Sequence, residues 1–509
     1  MPVDRRVRRT LTERLGAALA RTRAGAAASA EIARLRRRGE PNHWTHWFGV
    51  VPLALTAVLV LTGVFLTVFY APSSDLVAYS GSYAPLHGAS VSKAFDSVMN
   101  ISLDVRGGLL VRQAHHWAAL ALPASIVVQL AILFFTGAHR RPRRGTWLLL
   151  MLVLLVALGT GWTGYALPDD LLAGTGLRIT QGVALGIPVV GPWISQLIFG
   201  GAFPGSAIEQ LAPLHIVVLP LVLLALIGIR SAVVLGRPAP RFPTAATRRE
   251  PLVRTWPEAA ARAAGLGAII AGLMLLVSAT VTISPVWLNG PSDPASAGAG
   301  SQPDWYTGFL DGALRLVPPG WEVEWLGYTW TLAILVPLAV VGLFIVGVTV
   351  YPFLESWISR DTREYDVLDR PRNAARRTAL GVAGLVFIGT MWAAAAADHI
   401  AVLFRLSLEG VLVGFQVLLL VGPGIAFAIT RRICLALQDK DRDIAAHGWE
   451  TGIIVRLPGG EYAEVHEGGG AQEQWRLPAG HTSAAALVSS GDAPHPGDAV
   501  RETSRKVPS

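Results

Sequence analysis

The chain has 509 residues, of which 52% are hydrophobic and 15% are charged, and its mean hydropathy is +0.46. This composition excludes an ordinary soluble globular protein and favours a membrane protein. A single cysteine, Cys434, excludes an internal disulfide framework and cysteine-based zinc or iron–sulfur sites. The formal net charge of +8 at pH 7 suits either nucleic acid or a membrane surface, and the positions of the basic residues decide between them.

The amino terminus is rich in arginine. Residues 1–41 contain eleven Arg and four acidic residues, and no apolar core follows the first arginines, so this segment is not a secretory signal. It predicts a cytoplasmic arm or helix on the membrane surface. An arm that binds nucleic acid is the less favoured alternative, because hydrophobic segments begin directly after it.

Eight runs of about 20 apolar residues predict transmembrane helices. They cover residues 48–70, 109–136, 146–166, 212–235, 262–283, 328–353, 378–397 and 408–431. The predicted fold class is therefore an all-α membrane protein with eight spans. Within the connections, residues 181–200 are apolar but interrupted by Gly and Pro, which predicts a segment lying on the outer membrane surface.

Arginine and lysine concentrate in alternate connections. The connection after the second span contains HRRPRR at 139–144, and the chain after the fourth, sixth and eighth spans is also rich in arginine. The intervening connections contain few basic residues: 71–108, 167–211, 284–327 and 398–407. The positive-inside rule then predicts a multi-pass membrane protein with both termini cytoplasmic. The basic excess follows from this topology, and no nucleic-acid partner is expected.

Only three of the twelve histidines lie inside predicted spans. His115 and His215 lie near the outer ends of the second and fourth spans, and His116 is turned about 100° around the helix from His115. Polar side chains in a membrane are costly and usually functional, and paired imidazoles on facing helices are a common way to hold haem iron. The alternative is a pair of buried histidines satisfied by hydrogen bonds.

Other residues near this depth fit a haem. Arg112 lies one turn before His115, where it could meet a haem propionate. Gly63 and Gly164, toward the outer ends of the first and third spans, would allow close approach of a flat macrocycle. Small-residue packing between helices is the alternative for each glycine.

Several segments together resemble the cytochrome b subunit of the actinobacterial menaquinol–cytochrome c reductase. They include DVRGGLLVRQAHHWAAL (104–120), GYALPDDLL (164–172), LHIVVLPLVLLALIGI (214–229), SQPDWY (301–306) and HGWETGIIVRLPGGEY (447–462). The resemblance extends from about residue 43 to about residue 466.

This resemblance implies quinol oxidation at an outer site beside a haem b, with His115 and His215 as the iron ligands. Its quinol-site motif corresponds to Pro303, Asp304, Trp305 and Tyr306. Asp304 is then the expected acceptor of a quinol proton, and Asp311 corresponds to a second acid nearby. The alternative for Asp304 is a helix N-cap. The implied partners are a Rieske-type iron–sulfur subunit and a c-type cytochrome subunit in a dimeric complex, and the implied location is the bacterial plasma membrane.

The sequence departs from the family at the inner haem. The family carries further histidines about 14 residues beyond His115 and 15 beyond His215, and this chain has Gln129 and Arg230 there. Leu150 stands where a glycine would give clearance. Gln is a poor iron ligand and Arg has no available lone pair. We therefore expect one haem b, with Arg230 filling part of the inner pocket and either pairing with Gln129 or reaching inward to phosphate.

The predicted division of the chain has four parts: the arm 1–41, a haem-binding four-helix membrane domain 42–258, a four-helix membrane domain 259–438 with the quinol motif, and a cytoplasmic tail 439–509 with a small hairpin followed by disorder. The predicted function is a subunit of a quinol–cytochrome c oxidoreductase. The alternatives are a scaffold subunit that has lost its redox role and a paralogue that passes quinol electrons to a different acceptor.

Overall fold

A computed structural model describes residues 22–241, 252–296 and 302–467. In these ranges eight helices are long and apolar enough to cross a membrane, so the predicted all-α eight-span fold is confirmed. In chain order they are Trp44–Phe69, Gly108–Phe135, Arg144–Ala166, Ala207–Leu235, Thr255–Thr280, Leu332–Ser359, Ala375–Ala394 and Leu408–His447, and we number them as the first to eighth spans.

Three of the spans are interrupted, and the fifth begins with a π-helical turn, Thr255–Ala259, before its α-helix Ala260–Thr280. The first consists of a short helix, Trp44–Trp47, and a long one, Val50–Phe69. The fourth consists of Ala207–Pro213, a π-helical turn Leu214–Val218 and Leu219–Leu235. Pro213 and Pro220 flank that turn and lack the amide hydrogen that a regular α-helix needs. Such π-helical turns occur frequently at functional sites.

The first four spans pack around a shared apolar core. Leu55, Leu122 and Trp147 lie in the middle of it, and Leu223 joins from the fourth span. Ile270 and other residues of the fifth span pack against this cluster. The core lies between two sets of polar side chains, at the levels of His115 and of Gln129, which we call the histidine level and the glutamine level. The first four spans therefore hold both levels in one packed bundle.

A second apolar cluster joins the remaining spans. Val341 of the sixth span and Met391 of the seventh pack with Ala313 and Leu316 and with Phe415 of the eighth span. Ala313 belongs to a short helix, Gly308–Arg315, which follows the quinol motif. This packing fixes the motif between the two groups of spans.

Shorter elements occupy the connections. The helices are Arg23–Arg37, Lys93–Leu103, Leu171–Leu185, Gly191–Phe199, Val286–Asn289 and Ala397–Phe404, with 3-10 turns at Ala84–Leu86 and Pro371–Asn373. Four antiparallel strand pairs join Gly39–Pro41 to Leu252–Arg254, Leu76–Ala78 to Ser90–Ser92, Glu322–Trp325 to Tyr328–Thr331, and Trp449–Arg456 to Tyr462–Glu467. The segment 181–200, predicted to lie on the membrane surface, is mostly helical, and Trp193 and Leu197 are exposed in it.

The ends of the chain differ in part from the sequence prediction. The eighth helix continues to His447, beyond the apolar run that ends at 431, because its polar extension contains good helix formers and no glycine before Gly448. The last strand pair lies where the tail hairpin is predicted. Arg34 and Arg38 of the arm donate to the carbonyl of Leu235, at the end of the fourth span. Residues 1–21 of the arm and the tail beyond 467 lie outside the described residues.

Candidate functional site

The rings of His115 and His215 face each other at the histidine level. Their centroids are 6.1 Å apart and their planes are inclined by 75°. His115 comes from the regular second span, and His215 comes from the π-helical turn of the fourth. The sequence did not predict this turn, although the prolines on either side of it were a signal. His116, turned away from His215, points to a different neighbour.

Hydrogen bonds determine which nitrogen of each ring carries the proton. The Thr62 hydroxyl donates to the carbonyl of Val58 at 2.6 Å, so its oxygen accepts from His115 Nδ1–H at 2.9 Å. His215 Nδ1 lies 2.8 Å from the Thr160 carbonyl oxygen, which can only accept. In the neutral rings Nε2 therefore keeps its lone pair. This is the tautomer that a metal-binding histidine needs, with the outer nitrogen held by a second hydrogen bond.

The two glycines at this level seat the imidazole rings. A Cβ at Gly63 would lie 3.3 Å from His115 Cε1, and a Cβ at Gly164 would lie only 2.3 Å from His215 Cε1. A side chain at 164 would therefore displace His215. From the sequence these glycines are expected to give clearance for a macrocycle, and in the structure they lie directly against the two imidazole rings.

Arg112 is buried at the same end of the second span. Its side chain donates from Nη2 to the carbonyl of Ser284 at 3.0 Å, and the residue is 8% exposed. Its Nε is buried without a hydrogen-bond partner among the described residues. The guanidinium thus has a donor left for an anionic group such as a propionate, and the residues at the histidine level fit a haem.

The glutamine level is arranged differently. A Cβ at Gly49 would lie 3.2 Å from Gln129 Nε2, so Gln129 packs over Gly49 much as His115 packs over Gly63. Gln129, Leu150 and Arg230 line a cavity of about 10 Å³. That volume is about what one water molecule needs and is far too small for a macrocycle. The residues here do not fit a haem, because Gln is a poor iron ligand and Arg has no available lone pair.

Arg230 and Gln129 line this cavity together, but the structure gives them no direct hydrogen bond. The Oε1 of Gln129 and the Nε of Arg230 are both buried without a partner among the described residues. One orphan atom accepts and the other donates, which matches a single bridging water in the cavity. Arg230 therefore lines this space together with Gln129, without a direct hydrogen bond between the two side chains.

The carboxylate of Asp304 lies beside the second span. Its Oδ1 is 3.3 Å from His116 Nε2, and its Oδ2 accepts from the Tyr306 hydroxyl at 3.0 Å. The following helix has Thr307 as its N-cap, and the Asp304 side chain caps nothing, so the N-cap interpretation is wrong. Burial, followed by the Asp304 charge, raises the pKa of Tyr306 and keeps the phenol protonated as a donor.

The rest of the motif is fixed by two tryptophans. Trp305 Nε1 donates to the carbonyl of Leu120 at 3.2 Å, and Trp392 Nε1 donates to the carbonyl of Trp305 at 2.8 Å. Asp311, the second predicted acid, accepts from Arg315 Nε at 3.0 Å instead of joining Asp304. Burial raises the pKa of Asp311. The contact between His116 and Asp304 was not predicted from the sequence.

A family model and three relatives in sequence describe what this chain is similar to. Residues 120–291 match the family described as cytochrome b(N-terminal)/b6/petB. The cytochrome bc1 complex cytochrome b subunit of Streptomyces coelicolor is 44% identical over 84% of this chain and 79% of its own. The subunits of Mycobacterium tuberculosis and Corynebacterium efficiens are 41% and 38% identical, over 86% and 84% of this chain and 80% and 79% of their own.

A solved structure described as "Hyperthermophilic respiratory Complex III" covers 80% of this chain and 97% of its own, with a TM-score of 0.58. At 18% sequence identity it supports the fold alone. The relatives in sequence carry the assignment, because each is far above 30% identical and is matched over most of its length. The chain therefore belongs to the cytochrome b subunits of the cytochrome bc1 complex, the haem b-binding, multi-pass plasma-membrane subunits of quinol–cytochrome c oxidoreductases.

Proposed function

We propose that this subunit oxidises menaquinol at the outer membrane face, beside a single haem b held by His115 and His215. The observation that carries the proposal is the contrast between the two levels. At the histidine level two neutral imidazoles face each other with Nδ1 bonded and Nε2 available. At the glutamine level Gln129, Arg230 and Leu150 surround about 10 Å³.

A haem bound at the histidine level supplies a one-electron acceptor beside the quinol. The chain's own residues prepare that site. Thr62 and the Thr160 carbonyl orient the two imidazoles, and Gly63 and Gly164 leave room for them. Arg112 keeps a buried donor for an acidic substituent of the cofactor. Retention of this set opposes the alternative of a scaffold without redox activity.

Asp304 is the proposed acceptor of a quinol proton. Its carboxylate is only partly buried, with 16% of the side chain exposed, and it is held by Tyr306 and the second span. A positioned carboxylate beside a substrate that loses protons suits general-base work. Asp311, tied to Arg315, is the proposed second acid, which receives the proton further along the surface.

Both electrons are proposed to leave on the outer side. An electron passing to the glutamine level would have to cross about 21 Å along the second span, since fourteen residues separate Gln129 from His115. At that level Gln129 and Arg230 do not provide a pair of iron ligands. The proposed partners are a Rieske-type iron–sulfur subunit and a c-type cytochrome subunit in a dimeric complex.

The proposed topology keeps both termini cytoplasmic, with the arm 1–41 on the membrane surface and 439–509 as a cytoplasmic tail. The proposed haem domain is 42–258, and 259–438 is the domain with the quinol motif. The alternating arginine-rich connections support this orientation. The histidine level and Asp304 then face outward, and the glutamine level faces the cytoplasm.

The test is the amount of haem b per polypeptide in the purified protein. We expect one, and none in His115→Ala or His215→Ala. The converse variant, Gln129→His with Arg230→His and Leu150→Gly, is expected to raise the ratio toward two. Two haems in the unchanged protein would refute the single site, and none would favour the scaffold. A quinol–cytochrome c reductase assay then tests turnover.

A further inference from the structure

His116, which follows His115 in the second span, is not one of the proposed haem ligands, yet it contacts the quinol motif. It is adjacent to His115 in sequence but turned about 100° around the helix. Its side chain is 20% exposed, and its Nε2 is 3.3 Å from Asp304 Oδ1. An ionised carboxylate can only accept, so the hydrogen of this contact belongs to His116 Nε2.

The quinol motif rests on one face of the second span at two points. Leu120, whose carbonyl accepts from Trp305 Nε1, lies four residues after His116 and thus on the same helix face. The third span allows the fit from the other side, because a Cβ at Gly161 would lie 2.7 Å from the Tyr306 hydroxyl oxygen. One helix therefore presents His115 to the haem site and His116 to the motif.

We infer that His116 is a positioning residue, which holds Asp304 in the orientation that accepts the quinol proton. The inference rests on the proposed function. Each carboxylate oxygen of Asp304 has its own donor, His116 for Oδ1 and Tyr306 for Oδ2. With two donors the carboxylate cannot rotate freely, and with one it can. The role requires an N–H at the Nε2 position and no change of charge on the ring.

The experiment compares variants in the purified complex with reduced dimethylnaphthoquinone as the electron donor. The rate of haem b reduction is followed after rapid mixing. His116→Gln places an amide nitrogen close to the position of Nε2 and is expected to keep the rate within about 3-fold. His116→Asn is too short to reach Asp304, and His116→Leu has no donor, so both are expected to lower the maximal rate about 10-fold to 100-fold.

Two further measurements separate positioning from general damage. Haem content and the haem absorption bands should be the same in all three variants, since His115 and His215 are intact. In an Asp304→Asn background His116→Leu should slow the reaction further by less than about 2-fold, because the two residues act through one contact. His447→Leu removes an exposed His–Asp contact at 2.8 Å and serves as the control expected to behave like the unchanged protein.

The outcomes distinguish the inference from the proposed function. If dithionite but not quinol reduces the haem of the unchanged protein, the proposed function fails. If quinol reduces it and His116→Leu or His116→Asn is as fast as His116→Gln while Asp304→Asn is slow, the positioning role is refuted. Equal slowing by His116→Leu with and without the Asp304 carboxylate would also refute it. Should His116→Leu fail to assemble, the Gln and Asn pair decides.

Discussion

The hydrogen bonds behind the two imidazoles predict unequal effects of two matched substitutions. Thr62→Val removes the oxygen that accepts from His115 Nδ1–H at 2.9 Å, while nearly preserving side-chain shape. Thr163→Val removes a hydroxyl 3.3 Å from His215 Nδ1, but that ring keeps the Thr160 carbonyl at 2.8 Å. The first ring is then left with the Leu59 carbonyl, with which it forms no hydrogen bond of normal distance and angle, and the second keeps its stronger acceptor.

The size of the effect follows from the role of such second contacts. Loss of the partner behind a metal-bound histidine typically lowers metal affinity about 10-fold to 100-fold. This corresponds to about 1.4 to 2.7 kcal/mol, expected for Thr62→Val. For Thr163→Val we expect less than about 3-fold, because an existing carbonyl bond remains.

The assay is transfer of haem from the purified protein to excess apomyoglobin, followed by absorbance. Thr62→Val should release haem faster than the unchanged protein, and Thr163→Val should be close to it. Equal release from both variants would contradict the proton positions deduced for the two rings. Unchanged release from Thr62→Val would show that the Thr62 hydroxyl does not support His115.

Two further predictions concern stability of the solubilised protein. Burial, together with the charges of Asp170 and Glu209, raises the pKa of Asp169 from 3.8 to about 6. The folded protein then binds more protons than the unfolded chain between these values, so stability falls as pH rises through that window. The local φ of 50° is tolerated by Asn. Asp169→Asn should raise the free energy of unfolding by up to about 3 kcal/mol near pH 7, seen as a higher melting temperature, and give no gain near pH 4. An equal gain at both pH values would contradict this. Glu355→Ala removes the carboxylate 2.8 Å from buried His139 and 3.6 Å from Arg377, and should lower the free energy of unfolding by about 3 kcal/mol. Lys93→Ala breaks an exposed pair and should change the melting temperature little. Equal losses in these two variants would rule out the buried contact as the cause.

Several features of the fold could be predicted because they depend on local pattern. A span must satisfy its own backbone hydrogen bonds in hydrocarbon, so about 20 apolar residues suffice to predict each one. The ends are less predictable. The eighth helix extends to His447 because helix propensity continues where hydrophobicity stops, and the sixth begins at Leu332, after a strand pair that occupies the preceding residues.

At the site, helix geometry allows only one of His115 and His116 to face His215, and the resemblance to the family implies that it is His115. The contact of His116 with Asp304 cannot be predicted from helix geometry, since 188 residues separate them and only packing of the motif on the second span joins them. Helix periodicity places a side chain on a face, but it does not identify what lies opposite that face.

The amino-acid sequence by itself determined the eight spans and the two histidines at one depth, because these depend on hydrophobic length and on spacing along single helices, and the resemblance to the family implied the loss of ligands at Gln129 and Arg230. Tertiary structure alone decided which imidazole nitrogens are available, how small the cavity beside Leu150 is, and which donors hold Asp304. These depend on atoms brought within about 3 Å of each other from separate spans, and no local pattern encodes such distances.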